Sequence, residues 1–305
     1  MSLISSKGGS QPGGRPPAAV ELSPQGVLAG ALPAAGQQQP VYAFQPLKAG
    51  ALVPSITETN LHAPEAVAAA IRTALGQVSP RTKAVTVLVP DSVVRVFVLD
   101  FDALPGKAAE NYSMLRFRLR KMIPFDVEHA GLSYQILTET KTECKVLAAV
   151  IPGPVLAEYE AVVRAAGYEP GAVLPSSLAA LEVVDSMEAI LAATLNAMAL
   201  TTSITNGRDL LLYRTLDLPE DPERRIAEVQ RDIAVAAAYF EDKLQARPSR
   251  LHYAGNLEIS EFASWIDDAE LTVLDLAPRP STGATTPLGN MSFAGVNGAL
   301  AGANS

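Results

Sequence analysis

The feature that most constrains this chain is an order of strands and helices that runs once, breaks off and starts again. The first run opens with three short apolar stretches: Ala18 to Leu22, Val27 to Leu32 after the turn Ser23-Pro24-Gln25-Gly26, and Val41 to Phe44. A helix is predicted within Leu61 to Val78, because Pro64 suits a first turn and Val67, Ile71, Ala74, Leu75 and Val78 share one face. Ala84 to Val89 is β-branched and almost wholly apolar, the pattern of a strand buried on both sides. A helix from Val155 to Ala166 stopped by Gly167, a strand at Ala172 to Leu174 and a helix from Ser176 to Val184 complete the run.

The pattern then restarts. Leu191 to Leu195, Ala199 to Thr205 and Leu210 to Leu216 read as a meander with a hairpin signal at Asn206-Gly207. A long helix over about Pro222 to Gln245 carries Ile226, Val229, Ile233, Ala237, Phe240 and Leu244 as its inner stripe. A strand (Leu251 to Tyr253), a helix (Ile259 to Trp265), a strand (Leu271 to Leu276) and a small-residue helix (Ser292 to Ala301) follow. Each half thus reads βββ-α-β-α-β-α. The first also holds an insertion, about 93 to 150, with a strand from Val93 to Leu99, a helix from Lys107 to Met122 and strands at Gly131 to Leu137 and Cys144 to Val150. In that helix Tyr112, Leu115, Leu119 and Met122 are the expected inner face. The doubled order resembles the paired ribonuclease-H-like units of the actin, Hsp70 and sugar-kinase superfamily. It implies an α/β actin-like (ASKHA) fold: a tail at 1–17, a first half at 18–184 with a βαββ insertion, and a second half at 185–305. Alternation alone also permits a doubly wound sheet, but two opening meanders argue against one.

Composition narrows the function. Apolar residues make up 48% and charged residues 18%, enough for a packed core. The net charge of −8 disfavours a general polyanion binder, so no nucleic-acid partner is expected. A single cysteine, Cys144, excludes an internal disulfide, and the scattered His62, His129 and His252 make a zinc site unexpected. No apolar run is long enough to span a bilayer. The Gly/Ser/Pro-rich Met1 to Pro17 has no apolar core of a signal peptide, so it reads as a flexible tail and the default location as cytoplasmic.

Three stretches carry a closer resemblance: Ala84-Val-Thr-Val-Leu-Val-Pro-Asp-Ser-Val-Val-Arg95, Leu115-Arg-Phe-Arg-Leu-Arg-Lys-Met-Ile-Pro-Phe125 and Val163-Arg-Ala-Ala-Gly-Tyr-Glu-Pro170. In order and spacing they resemble the PilM family of type IV pilus assembly proteins, with the cytoplasmic domains of type II secretion L-type proteins as relatives. The resemblance runs from about Ala18 to Ala301 and is strongest from Ala84 to Leu181. It implies a cytoplasmic scaffold, peripheral at the inner membrane, that grips the N-terminal peptide of a bitopic PilN-like partner and is open to homo-oligomer formation. It also implies ATP in the cleft between the halves.

The residues expected to hold that nucleotide depart from the superfamily pattern, which is Asp-x-Gly with small hydroxyl residues in two hairpin turns and a glycine-rich third turn. The first turn is Glu21-Leu22-Ser23-Pro24-Gln25-Gly26, with Glu for Asp, Ser for Gly, and a proline that removes one N–H donor. The second, Thr194-Leu195-Asn196-Ala197-Met198, has no carboxylate. The third, Ala254-Gly255-Asn256-Leu257, keeps one glycine. Glu21, Ser23, Gln25, Asn196, Gly255 and Asn256 are therefore the candidate residues of a degenerate nucleotide site. No cofactor, metal or catalytic residue is expected, and an active ATPase or small-molecule kinase is the alternative reading. Arg116, Arg118, Arg120 and Lys121 are the candidate partner-facing rim, against the simpler view of a solvated helix face. The peptide groove is expected between strand Ala84 to Val89 and helix Lys107 to Met122.

Overall fold

The computed structural model describes residues 15–33, 39–184, 186–196, 199–207, 209–277 and 291–303. The tail assigned to 1–17 falls largely outside these residues, as do Ala197 and Met198. Arg15, placed in that tail by the sequence, is instead buried and ion-paired to Glu182 at 3.0 Å.

Two five-stranded sheets share one topology. The first half comprises β1 (Ala18–Ser23), β2 (Gly26–Ala31), β3 (Val41–Pro46), α1 (Pro64–Val78), β4 (Ala84–Val89), α3 (Gly153–Ala165), β8 (Glu169–Pro175) and α4 (Ser176–Ala180). Its strand order is β3-β2-β1-β4-β8. The second comprises β9 (Ala189–Leu195), β10 (Ala199–Asn206), β11 (Asp209–Asp217), α5 (Pro222–Leu244), β12 (Arg250–Gly255), α6 (Ile259–Ser264), β13 (Thr272–Asp275) and α7 (Ala294–Ala301), with the order β11-β10-β9-β12-β13. In each sheet the meander is antiparallel and the last two strands add in parallel. The doubled pattern is thus a doubled topology, not one continuous sheet.

Local chemistry sets the ends. Pro64 opens α1, and Ser79 closes it in the left-handed region at φ 49°. Asp221 caps α5 by accepting the Arg224 N–H at 2.9 Å. The buried stripe of α5 is Val229, Ile233, Ala236 and Phe240, so Ala236 takes the inward place expected of Ala237. The β10–β11 hairpin pairs Asn206 with Asp209, so the turn begins at Gly207 (φ 58°), one residue later than the Asn-Gly signal implies.

The insertion forms its own three-stranded sheet, β5 (Arg95–Phe101), β7 (Cys144–Ile151) and β6 (Gly131–Glu139), in the order β5-β7-β6. Helix α2 (Ala108–Leu119) packs on one face of it through Leu115 and Leu119, in a core with Cys144, Val146 and Ala148. The other face joins the main core through Val96, Leu147, Ala149 and Ile151. Met122 is not an inner residue: it lies past the helix end and is exposed. Asn111 is buried instead, because its amide accepts the Gly106 N–H and donates to the Tyr134 hydroxyl.

The halves are separate sheets with a partly shared core. Leu210 and Tyr213 of β11, with Val296, Ala299 and Leu300 of α7, pack into the first half's core. α7 lies against β1, β2 and α4. β2 is buried at every position, with α1 on one face and α7 on the other. A Cβ added at Gly298 would sit 1.8 Å from the Ala179 carbonyl oxygen, so only glycine lets α7 approach α4 this closely.

Candidate functional site

The three turns singled out in the sequence come together. Glu21, Ser23 and Gln25 from the β1–β2 hairpin, Asn196 from the end of β9, and Gly255 and Asn256 from the end of β12 line one cavity between the halves. Asp91, Ser176 and Gly295 line it too. The site residues proposed from the loops are thus in one place, although far apart in the chain. The space among them is about 40 Å³, room for about three waters.

One backbone donor in each of the three turns is already engaged. The Ser23 hydroxyl accepts the Gly26 N–H at 3.2 Å. Asn196 Oδ1 accepts the Ala199 N–H at 2.8 Å. The Tyr253 hydroxyl, buried beneath the third turn, accepts the Leu257 N–H at 3.2 Å. Gly255 is required here for packing: a Cβ would meet the Tyr253 hydroxyl at 2.2 Å and the Leu195 carbonyl oxygen at 2.6 Å.

Behind the turns lie two buried acids. A 3₁₀ turn over Asp91–Val93, directly after β4, delivers Asp91 into the interior. Its Oδ1 accepts the Ser177 hydroxyl at 2.5 Å and the Ser177 N–H at 3.1 Å, and lies 3.5 Å from the Tyr213 hydroxyl. Its Oδ2 receives the Asn196 amide at 3.5 Å. Ser177 and Tyr213 also hydrogen-bond each other. Asp91 and Ser177 belong to the first half, Asn196 and Tyr213 to the second, so this cluster ties the halves together. Beside it Glu21 Oε1 accepts the Ser176 hydroxyl at 2.6 Å, while Oε2 is sealed from solvent with no hydrogen-bond partner. Burial pushes the Glu21 carboxyl up to about 7, against the Ser176 hydrogen bond and with help from the Asp91 charge. Burial likewise pushes Asp91 up to about 6 despite the Ser177 hydrogen bonds. The Tyr213 hydroxyl lies well above its ordinary range through burial and then the nearby Asp91 charge.

Sequence reasoning found the turns and missed the tie. Asp91 had a visible signal, a carboxylate just after an almost wholly apolar strand. Ser176, Ser177 and Tyr213 had none.

The expected groove is absent. β4 is an interior strand between β1 and β8, and α2 packs on the outer sheet of the insertion, so the two form no shared wall. The reason is that the insertion sheet turns its inner face onto the main core and carries α2 on its far side. An open apolar groove of about 570 Å³ lies instead between α1 and α3. Leu61, Pro64, Ala68, Ala161, Val162 and Ala165 form its walls, with Glu65, Glu158 and Arg72 at the rim. Of the four candidate rim cations, Arg116 donates to the Val127 carbonyl at 2.7 Å and Arg120 pairs with Glu128 at 2.6 Å. Both are engaged within the insertion. Arg118 and Lys121 make no hydrogen bond or ion pair among the described residues. No cluster of metal-ligating side chains occurs among the described residues, and no described helix is long and apolar enough to cross a membrane.

No protein-family model matches the chain, and no curated protein matches it in sequence. Solved structures do. The chain is similar to the structure described as "PilM-PilN type IV pilus biogenesis complex", with a TM-score of 0.73 at 17% identity over 94% of this chain and 98% of that one. It is also similar to the cytoplasmic domain of EpsL, an inner-membrane component of the type II secretion system of Vibrio cholerae. That likeness has a TM-score of 0.50 at 15% identity, covering 87% of this chain and 89% of the other. The fold is actin-like. At these identities the likeness speaks for the fold, inserted sheet included.

Proposed function

We propose that this protein is an assembly scaffold of a type IV pilus or type II secretion system, working at the cytoplasmic face of the inner membrane. It holds a short N-terminal peptide of a bitopic, PilN-like partner. The observation that carries this reading is the extent of the structural match. The superposition on the PilM component covers both halves and the inserted sheet, not one half of a common fold. The open apolar groove between α1 and α3 supports it. The α1–α3 groove suits a short apolar segment, with Glu65 at its rim able to orient a polar end.

In this reading the cleft is a joint and not a nucleotide site. A mononucleotide needs a pocket of some 300 Å³ or more, roughly an order of magnitude above the space present. One N–H donor of each turn is occupied by a side chain, and Glu21 and Asp91 would repel phosphates. The test is capture of the N-terminal cytoplasmic peptide of a co-encoded bitopic protein, measured by titration calorimetry on the full chain. Ala161 is exposed, so Ala161→Glu should leave the fold intact and weaken capture at least about tenfold. Unchanged affinity in that variant rejects the groove, and no capture of the peptide rejects the scaffold.

A further inference from the structure

The insertion carries an exposed corner that its own packing does not explain. Phe117 is 73% exposed, and it is the only exposed aromatic side chain among the described residues. Helix α2 formally ends at Leu119, but its spiral continues: Arg120 N–H donates to Arg116 O at 3.0 Å and Met122 N–H to Leu119 O at 2.8 Å. Phe117 therefore neighbours Lys121, and Arg118 neighbours both Lys121 and Met122, on one outward face. Met122 is 43% exposed. Cations suit the end of a helix through its dipole, and a lone exposed apolar residue is ordinary. Neither accounts for this grouping. Arg116 and Arg120 on the same helix are bonded to residues 127 and 128, whereas Arg118 and Lys121 flank the two apolar side chains with no bond among the described residues. Two unbonded cations beside an aromatic and a methionine form a positive, partly apolar spot on a chain of net charge −8.

We propose that Phe117, Arg118, Lys121 and Met122 form a docking spot for an anionic lipid surface. Arg118 and Lys121 meet the headgroup phosphates while Phe117 and Met122 enter the acyl boundary. Two cations and two apolar side chains give weak, reversible contact. That suits a protein held mainly by a partner and oriented by the bilayer, and to that extent the proposal rests on the membrane-face reading above. It does not involve the peptide groove.

The experiment is co-sedimentation of the full chain with vesicles of phosphatidylcholine and phosphatidylglycerol in equal parts, and with vesicles of phosphatidylcholine alone, at low salt and without peptide. Binding to the anionic vesicles only, weakening as salt rises, is the expected result. Each cation contributes about a fivefold gain in partitioning, so Arg118→Gln with Lys121→Gln should cost roughly thirtyfold. Phe117→Ser should also weaken binding, and Arg116→Gln should cost far less than the double change. Circular dichroism confirms that each variant is folded. The proposal is overturned if the chain ignores anionic vesicles, or if the folded double variant binds them as well as the parent. Peptide capture is measured separately, so a failure here leaves the groove reading standing, and the reverse.

Discussion

Replacing Asp91 by Asn should make the protein more stable at neutral pH and remove part of an unusual pH response. The Asp91 carboxyl is raised from 3.8 to about 6 by burial. A carboxyl whose folded value exceeds its unfolded value holds its proton more tightly in the native state. Its contribution is therefore fully present below 3.8 and is lost as the pH rises through about 6. Two units correspond to about 3 kcal/mol. For a chain of this length, at an unfolding entropy of ~2.1 cal/mol/K per residue, that is a change in Tm of about 5 °C. Glu21, raised from 4.5 to about 7, acts in the same direction over a slightly higher window. The parent should thus gain stability between about pH 8 and pH 5, opposite to ordinary acid destabilisation. In Asp91→Asn the side-chain oxygen still accepts from Ser177. The bond given up, from Asn196 at 3.5 Å, is one of the two longest of the set. The assay is differential scanning calorimetry of parent and variant across that range. The variant should melt about 5 °C above the parent at pH 8, and the gap should narrow to about half at pH 5 and close as the pH falls towards 3.8. A Tm difference that stays constant across the range would refute the argument, because a contact effect does not titrate.

Other consequences follow from the same cleft and its supports. Saturating Mg-ATP should leave Tm unchanged, whereas a ligand at a hundred times its Kd adds about 2.7 kcal/mol, so a clear upward shift in thermal melting would show that a nucleotide site exists. Gly298→Ala puts a methyl 1.8 Å from the Ala179 carbonyl oxygen and should cost about 1–3 kcal/mol in urea unfolding, whereas Gly76→Ala, with nothing near its added Cβ, should be neutral or stabilising. Tyr253→Phe leaves the Leu257 N–H without its acceptor and should cost about 1–3 kcal/mol. If it costs nothing, the third turn does not depend on that hydroxyl.

Much of the fold was legible because its signals are local. Pro64 with a spaced apolar face, the almost wholly apolar Ala84 to Val89, and Asp221-Pro222 ahead of a long stripe each mark an element from within a few residues. The repeated order then fixed the class. What failed was orientation. Nothing in Lys107 to Met122 states which side of the inserted sheet the helix will cover, or that Asn111 can be buried once Gly106 and Tyr134 satisfy its amide. Nor does any local signal show that α7, last in the second half, packs on the first half's sheet through its small residues.

The site shows the same limit more sharply. Its turns were judged by what they lack: a carboxylate in the second, glycines in the first and third. The structure gives the replacing side chains definite work. Asn196, where an acid is absent, holds the Ala199 N–H with its oxygen and reaches Asp91 with its nitrogen. Ser23, where a glycine is absent, closes its own turn through Gly26. Each such bond consumes a donor that a phosphate would otherwise need, and Asn196 at the same time links the second half to the first. In the reading proposed above, the loss of phosphate donors and the gain of a firmer joint are one change in physical terms. Asp91 makes the point most directly: its four neighbouring polar groups come from α4, the residue after β9, and β11, segments 86 to 122 residues away, and the Asn196 and Tyr213 groups reach it only across the junction of the halves. A ligand that needed the cleft open would have to pull Asn196 and Tyr213 away from that carboxylate first, a cost set against every contact the ligand could make.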